Sequence, residues 1–223
     1  MSVGGSGEPI GAKTSSGIAM TEKGRSDLAT FALIGMFSGA AARALVMFID
    51  EGSYTSTLTG TRAEVGTFSI LPGVVFGSVI GFLWHRRGMA SKSQLLGYAF
   101  ASGVAYFISF QVAINVFDWL PGMLGEVVAL VVSGISAGLV GCVLLGIATA
   151  YLLRVPYESA LGVPVVVGGI AGGLLPLINV LNDWGFMLFL GLWQGAYAAS
   201  LAGLLRPATA TLASAMRVGK ERA

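Results

Sequence analysis

Four polar residues stand inside long apolar stretches of this sequence, where a polar side chain is costly to place. Arg43 is the only fully charged residue well inside such a stretch, and Gln111, Asn115 and Gln194 are its uncharged counterparts. An arginine within a bilayer costs at least about 2.5–3.5 kcal/mol on insertion scales, so Arg43 should face a partner or water. Such a set of groups could bind a small solute or an anion.

The depths of these residues predict a common site. Arg43 and Gln111 each precede the end of their apolar run by six residues, which corresponds to roughly 9 Å along a helix. We therefore predict an outward-facing polar pocket with an acidic mouth. Its substrate-binding residues would be Arg43, Gln111, Asn115, Asn179 and Gln194, and its mouth would carry Asp50, Asp118 and Asp183.

Structural alternatives stay open for the same residues. Arg43 could extend outward and pair with Asp50 or Asp118, which would pin the helices together without binding a solute. Gln194 could hydrogen-bond to a neighbouring helix. The Asp-Trp pairs at 118–119 and 183–184 could anchor the chain at the lipid headgroups and cap the helices that follow.

The elements that must position these residues are membrane helices. Of the 223 residues, 55% are hydrophobic and 11% are charged, whereas soluble domains carry roughly 25% charged residues. Apolar runs near the ~20 residues that cross a bilayer must be helical there. We predict an all-α polytopic membrane protein with six transmembrane helices in three hairpins: Leu28–Ile49, Gly66–Trp84, Gln94–Phe117, Glu126–Leu153, Ala160–Ile178 and Gly185–Leu205. Pro176 could stop or kink the fifth of them.

The charge distribution predicts an orientation. Eleven basic residues fall in the two terminal segments and in the second and fourth connections, whereas the other connections contain a single basic residue, Arg62. The positive-inside rule then places both termini in the cytoplasm, in a plasma membrane or a bacterial inner membrane. The predicted division is a flexible tail at 1–27, a transmembrane domain at 28–206 and a basic tail at 207–223.

Two features indicate internal order in the transmembrane domain. The stretch Ile114–Trp119 is echoed by Ile178–Trp184, which favours repeats at 28–90, 94–153 and 160–206, although chance similarity in a chain rich in Gly, Ala and Val remains the alternative. Small residues at four-residue spacing let helices approach closely. The predicted helix-packing glycines are Gly73, Gly77, Gly81, Gly134, Gly138, Gly191, Gly195 and Gly203.

The function predicted from these features is a channel or secondary transporter for a small solute or ion. The chain has one histidine, one cysteine, no Walker loop and no dinucleotide fingerprint, so we expect neither an enzyme nor a metal or cofactor site. The expected partners are the bilayer, further copies of the chain or other membrane subunits, and not nucleic acid. The alternative function is a non-transporting subunit that packs or assembles a larger membrane complex.

Overall fold

The computed structural model describes residues 22–49, 54–58 and 61–205 of the chain. The helices are α1 (Glu22–Phe48), α2 (Thr67–Arg86), α3 (Lys92–Trp119), α4 (Pro121–Leu124), α5 (Glu126–Leu153), α6 (Tyr157–Gly172) and α7 (Leu177–Leu201), and a 3-10 turn (Ala202–Leu205) follows. Two antiparallel strands, β1 (Tyr54–Leu58) and β2 (Thr61–Val65), lie between α1 and α2.

Five helical segments are long and apolar enough to cross a membrane: Ser26–Val46, Phe68–Arg86, Lys92–Trp119, Glu126–Leu153 and Trp184–Leu204. The prediction of a largely helical chain with several membrane-crossing candidates is therefore confirmed. The count of six spans stays a prediction, because the remaining apolar helix, α6, has only 16 residues. Its length of about 24 Å is less than the roughly 30 Å of bilayer hydrocarbon.

The predicted continuous span Ala160–Ile178 is wrong in its second half. Helix α6 ends at Gly172, residues 173–176 form turns, and α7 begins at Leu177. Successive glycines weaken the helix at this point, and Pro176 disfavours helical geometry in the residue before it. The proline that was expected to stop or kink this span thus stands where the next helix starts.

Three further details of the structure add to or differ from the prediction. Helix α1 begins at Glu22, so residues 22–27, which were assigned to the tail, are helical. Within the predicted helical fold, the Thr-rich segment between α1 and α2 forms a short hairpin of β1 and β2, as β-branched residues favour. The predicted capping roles are also wrong: Asp118 lies within α3, Asp183 lies within α7, and the residue that caps α7 is Pro176. The rest of the predicted tails, and Asp50, lie outside the described residues.

The six apolar helices form a ring. Each of α1, α2, α3, α5, α6 and α7 packs against its neighbours in chain order, and α1 packs extensively against α7 to close the ring. Neighbouring helices run antiparallel, as Gly77 facing Ala99 and Gly81 facing Leu95 illustrate. All connections therefore gather at two ends. We call the end that carries β1, β2 and α4 the hairpin end, and the end that carries Arg86, Lys92 and Arg154 the basic end.

Glycines stand where the helices approach most closely. The glycines at 73, 77 and 81 face α3, those at 134 and 138 face α6, and those at 191 and 195 face α1. Across the α1–α7 contact, a Cβ added at Gly39 would lie 2.6 Å from the carbonyl oxygen of Leu190, which leaves no room for a side chain. Because Gly191 and Gly195 face α1, these two positions are covered within a single chain. Gly203 is different, because nothing lies within 4 Å of the position its Cβ would take.

Candidate functional site

A cavity of about 220 Å³ lies between α3, α5 and α7 in the hairpin-end half of the ring. Helix α3 contributes Tyr106 and Phe110 to its wall, and α7 contributes Phe186, Phe189 and Trp193. These aromatic residues follow one another at intervals of three or four, so that each set lies on one face of its helix. The ring thus surrounds a space that is lined mainly by aromatic and aliphatic groups.

The wall that α5 contributes is made of small residues, among them Ser133, Ala137 and Gly138. Helix α6 packs directly behind this wall, because Gly138 and Gly168 bring the two backbones together. The hydroxyl of Ser133 donates a hydrogen bond to the Leu130 carbonyl at 3.0 Å, within its own helix. Apart from Leu130, which also lines the cavity, the α5 wall is therefore flat.

The segment that joins α6 to α7 covers the cavity at the hairpin end. Leu175 and Ile178 both line the cavity. Gly185 packs against the carbonyl of Leu177, although these residues would be about 12 Å apart in a straight helix. Helix α7 is therefore sharply bent, and its first two turns fold over the bundle. The amide of Asn179 donates a hydrogen bond to the Glu126 carboxylate at 3.0 Å and ties this cap to the start of α5.

Arg43 lies behind the cavity wall. The carbon at the centre of its guanidinium is 5.1 Å from the centroid of the Phe186 ring, a cation–π arrangement. Its charge also acts on the phenol of Tyr106, which lines the cavity. Arg43 itself is only partly buried and is not among the lining residues. Its charge therefore supports two wall residues from outside the cavity.

The other predicted polar residues do not converge on the cavity. Asn115 donates a hydrogen bond to the Gln111 carbonyl at 2.8 Å, so its amide bonds within α3. Neither residue lines the cavity, and Asp118 is exposed at the end of the same helix. The side chain of Asp183 and all of Asp50 fall outside the described part of the structure. Of the three acidic residues predicted at the mouth of the pocket, the structure thus describes the side chain of Asp118 alone.

Gln194 joins three helices near the centre of the bundle. Its side chain is fully buried, its amide nitrogen donates to the Pro72 carbonyl at 3.2 Å, and its amide oxygen accepts from the Ser38 hydroxyl at 2.8 Å. These bonds tie α7 to α2 and α1. Gln194 therefore has the interhelical role that the sequence allowed as an alternative to a place in a solute pathway.

Toward the basic end, the centre of the ring is closed by large side chains. Tyr98, Tyr197 and Trp84 are each at most 1% exposed, and the rings of Trp84 and Tyr98 meet edge to face at 4.6 Å between centroids. Thr149 donates a hydrogen bond to the Tyr98 hydroxyl at 3.5 Å. We call these four residues the aromatic plug. Within the described residues, this plug separates the cavity from the basic end.

Two contacts between helices hold the basic end together. Asp27 on α1 pairs at 2.9 Å with Arg87, the residue that caps the end of α2, and the Arg87 guanidinium also lies over the Phe31 ring at 5.0 Å. Gln94 on α3 donates a hydrogen bond to the Leu152 carbonyl on α5. The helix pairs that flank the plug are therefore linked on both sides of the ring.

No group of three or more His, Cys, Asp or Glu side chains in the described ranges could hold a metal ion. The chain matches no known family model, and no curated protein and no solved structure is significantly similar to it. What the site can do must therefore be argued from its own geometry.

Proposed function

We propose that this protein is a channel or secondary transporter for a small solute, and that the hairpin-end cavity holds the solute during passage. The observation that supports the proposal is a cavity of about 220 Å³ at one end of a closed ring of helices, with a plug of large side chains at the other end. The distribution of basic residues supports an orientation with the hairpin end outside and the basic end in the cytoplasm.

The arrangement corresponds to one state of an alternating-access cycle. A solute could reach the cavity when the cap formed by the first turns of α7 moves away from Glu126. Passage to the basic end would require the aromatic plug to separate, and the close glycine contacts give helices smooth faces along which to slide. In this scheme Arg43 fixes Phe186 in the wall, so it acts as a positioning residue.

The test is solute accumulation in vesicles that contain the purified protein. Labelled solutes and ions are offered under an imposed proton or sodium gradient, and accumulation above the equilibrium level is measured, because passive leakage cannot produce it. A channel would appear instead as a conductance in planar bilayers. We expect the wild-type protein to accumulate or conduct at least one class of solute, and Arg43→Leu to reduce that rate at least tenfold.

Arg86→Leu is the matched control, because Arg86 also lies over an aromatic ring, that of Phe82 at 6.0 Å, but does so at the basic end. We expect this variant to keep full activity. Arg43→Lys, which keeps the charge without the planar guanidinium, should be intermediate. If Arg43→Leu removes folded protein from the membrane, Arg43 is a structural residue and its role at the site is wrong. If wild-type protein moves no solute or ion, the transport proposal is wrong.

The burial of Gln194 favours a second candidate function, a non-transporting membrane subunit. A glutamine with both ends of its amide bonded to other helices stabilises a fixed bundle and leaves no group for a solute. In that case the protein should co-purify with other membrane subunits in gentle detergent, and their removal should not change any solute flux. A monodisperse preparation with transport activity would exclude this candidate.

A further inference from the structure

We infer that the hairpin-end cavity binds an uncharged, planar aromatic molecule of one or two fused rings. The inference deepens the proposed function, on which it rests, by naming the class of solute. It is carried by the volume of the cavity, by the chemistry of its wall and by the hydrogen bonds that the wall residues already make.

The volume limits the size of the ligand. An apolar protein cavity of about 150 Å³ accommodates benzene, and this cavity measures about 220 Å³. The additional space is enough for a second fused ring and too small for an extended lipid chain. A flat ligand also suits the shape, because the groups that α5 presents opposite the aromatic side chains of α3 and α7, such as Ala137 and Gly138, are small except at Leu130.

The wall chemistry excludes a charged ligand. None of the residues that line the cavity is charged, and Arg43, whose guanidinium lies 5.1 Å from the centroid of the Phe186 ring, is not among them. An ion without a partner in such an environment loses its hydration without compensation. Aromatic rings at Phe110, Phe186 and Trp193 offer instead the offset and edge-to-face contacts that another aromatic ring prefers.

The hydrogen bonds that the wall residues already make limit the polar contacts open to a ligand. Ser109 donates its hydroxyl to the Ala105 carbonyl at 2.7 Å, Ser133 donates to the Leu130 carbonyl at 3.0 Å, and Trp193 donates its indole N–H to the Gly168 carbonyl at 3.2 Å. These bonds leave almost no polar surface in the wall, and the Ser109 hydroxyl oxygen lies toward Gly141 of α5. The aromatic ring of the ligand, and not a polar group, therefore provides the binding.

Binding to the purified full-length protein in lipid nanodiscs tests the inference, since small uncharged aromatic molecules cross lipid unaided and flux alone is a poor readout. The probes are 2-naphthol, naphthalene, benzoate and n-decane. Unfolding can be followed with a thiol-reactive dye, because the single cysteine, Cys142, is fully buried in the folded protein. We expect 2-naphthol at about one hundredfold its Kd to raise Tm by about 5–10 °C.

Three variants test whether the rise in Tm comes from binding in the cavity. Ala137→Leu fills the cavity and should abolish the rise in Tm, whereas Ala41→Leu adds the same group on the exposed face of α1 and should preserve it. The double variant Ser109→Ala/Ser133→Ala should leave the binding of both 2-naphthol and naphthalene unchanged, since the two hydroxyls already bond within their own helices.

Four results would overturn the inference: no rise in Tm with either naphthalene probe, an equal rise in the Ala137→Leu variant, an equal rise with benzoate, or an equal rise with n-decane, which would assign the cavity to a lipid chain. The transport proposal fails separately. Binding of 2-naphthol without accumulation of any solute would leave this site standing and refute transport. Accumulation of polar solutes without binding of either naphthalene probe would refute only the aromatic class.

Discussion

The two halves of the ring use similar residues for opposite purposes. Toward the hairpin end, aromatic side chains of α3 and α7 stand apart across the small residues of α5 and leave a cavity of about 220 Å³. Toward the basic end, Trp84, Tyr98 and Tyr197 meet across the same axis and leave each other at most 1% exposed. Helices α3, α5 and α7 contribute to both halves. The two halves therefore differ because the side chains change along each of these helices, and not because different helices build them.

The position of the small residues explains this difference. At the hairpin end most of the α5 residues that line the cavity are small, so the aromatic rings of α3 and α7 have no aromatic partner opposite them on α5. At the basic end the small residues lie between adjacent helices, as Gly35 does against Gln194 and Ala198, and the large side chains are drawn together at the centre. A binding space and a seal can therefore be built from one ring of helices.

The largest difference in stability should appear when the same side-chain volume is added to each half in turn. Ala198→Leu places a larger side chain beside Gly35, where an added Cβ would already be 2.8 Å from the Ala198 Cβ, and overpacking should cost about 1–3 kcal/mol. Ala137→Leu adds the same volume to the cavity and should leave the free energy of unfolding unchanged or raise it. Thermal unfolding should thus show Tm lowered by several degrees for the first variant only. Equal destabilisation by both variants would show that the halves do not differ in packing.

A smaller effect is expected from the boundary between the halves. Gln194→Leu removes the hydrogen bonds to Pro72 and Ser38, but the Ser38 hydroxyl keeps its bond to the Gly35 carbonyl at 2.8 Å. The loss of stability should therefore be about 1 kcal/mol, with Tm lowered by a few degrees. Solute accumulation should persist in the folded variant. If accumulation stops while Tm is unchanged, Gln194 belongs to the solute pathway and the boundary is not purely structural.

Much of the helical framework could be predicted because the residues at the ends of the apolar runs determine where the helices begin and end. Helix α5 runs over the predicted residues Glu126–Leu153, between Gly125 and Arg154, where a flexible residue and a charge end the apolar run. The break between α6 and α7 could not be placed, because the residues from Gly168 to Leu181 are apolar or small almost throughout. Hydropathy alone does not distinguish a buried turn from a continuing helix in such a run.

The site was harder to predict than the helices, because the prediction searched for polar side chains inside the apolar runs, whereas the cavity is lined mainly by apolar and aromatic ones. Asn115 donates a hydrogen bond within its own helix, Gln194 bonds to neighbouring helices, and neither lines the cavity. In a chain where most positions are apolar, the period of hydrophobic residues carries little information. The spacing of aromatic residues alone, as in Phe186, Phe189 and Trp193, would have indicated the face that lines the cavity.

The smallest expected effect concerns the cap that only the hairpin-end half possesses. Asn179→Ala removes the exposed hydrogen bond to Glu126, so global stability should fall by less than about 1 kcal/mol. The cap should nevertheless open more often, and a cysteine in the cavity would report it. In a Cys142→Ser background, Ser133→Cys should be alkylated about two- to fivefold faster when Asn179→Ala is added. Glu126→Gln, which keeps an acceptor for Asn179, should leave the rate near its original value. An unchanged alkylation rate in the Asn179→Ala protein would mean that access to the cavity does not pass this cap, and that the two halves differ in packing but not in gating.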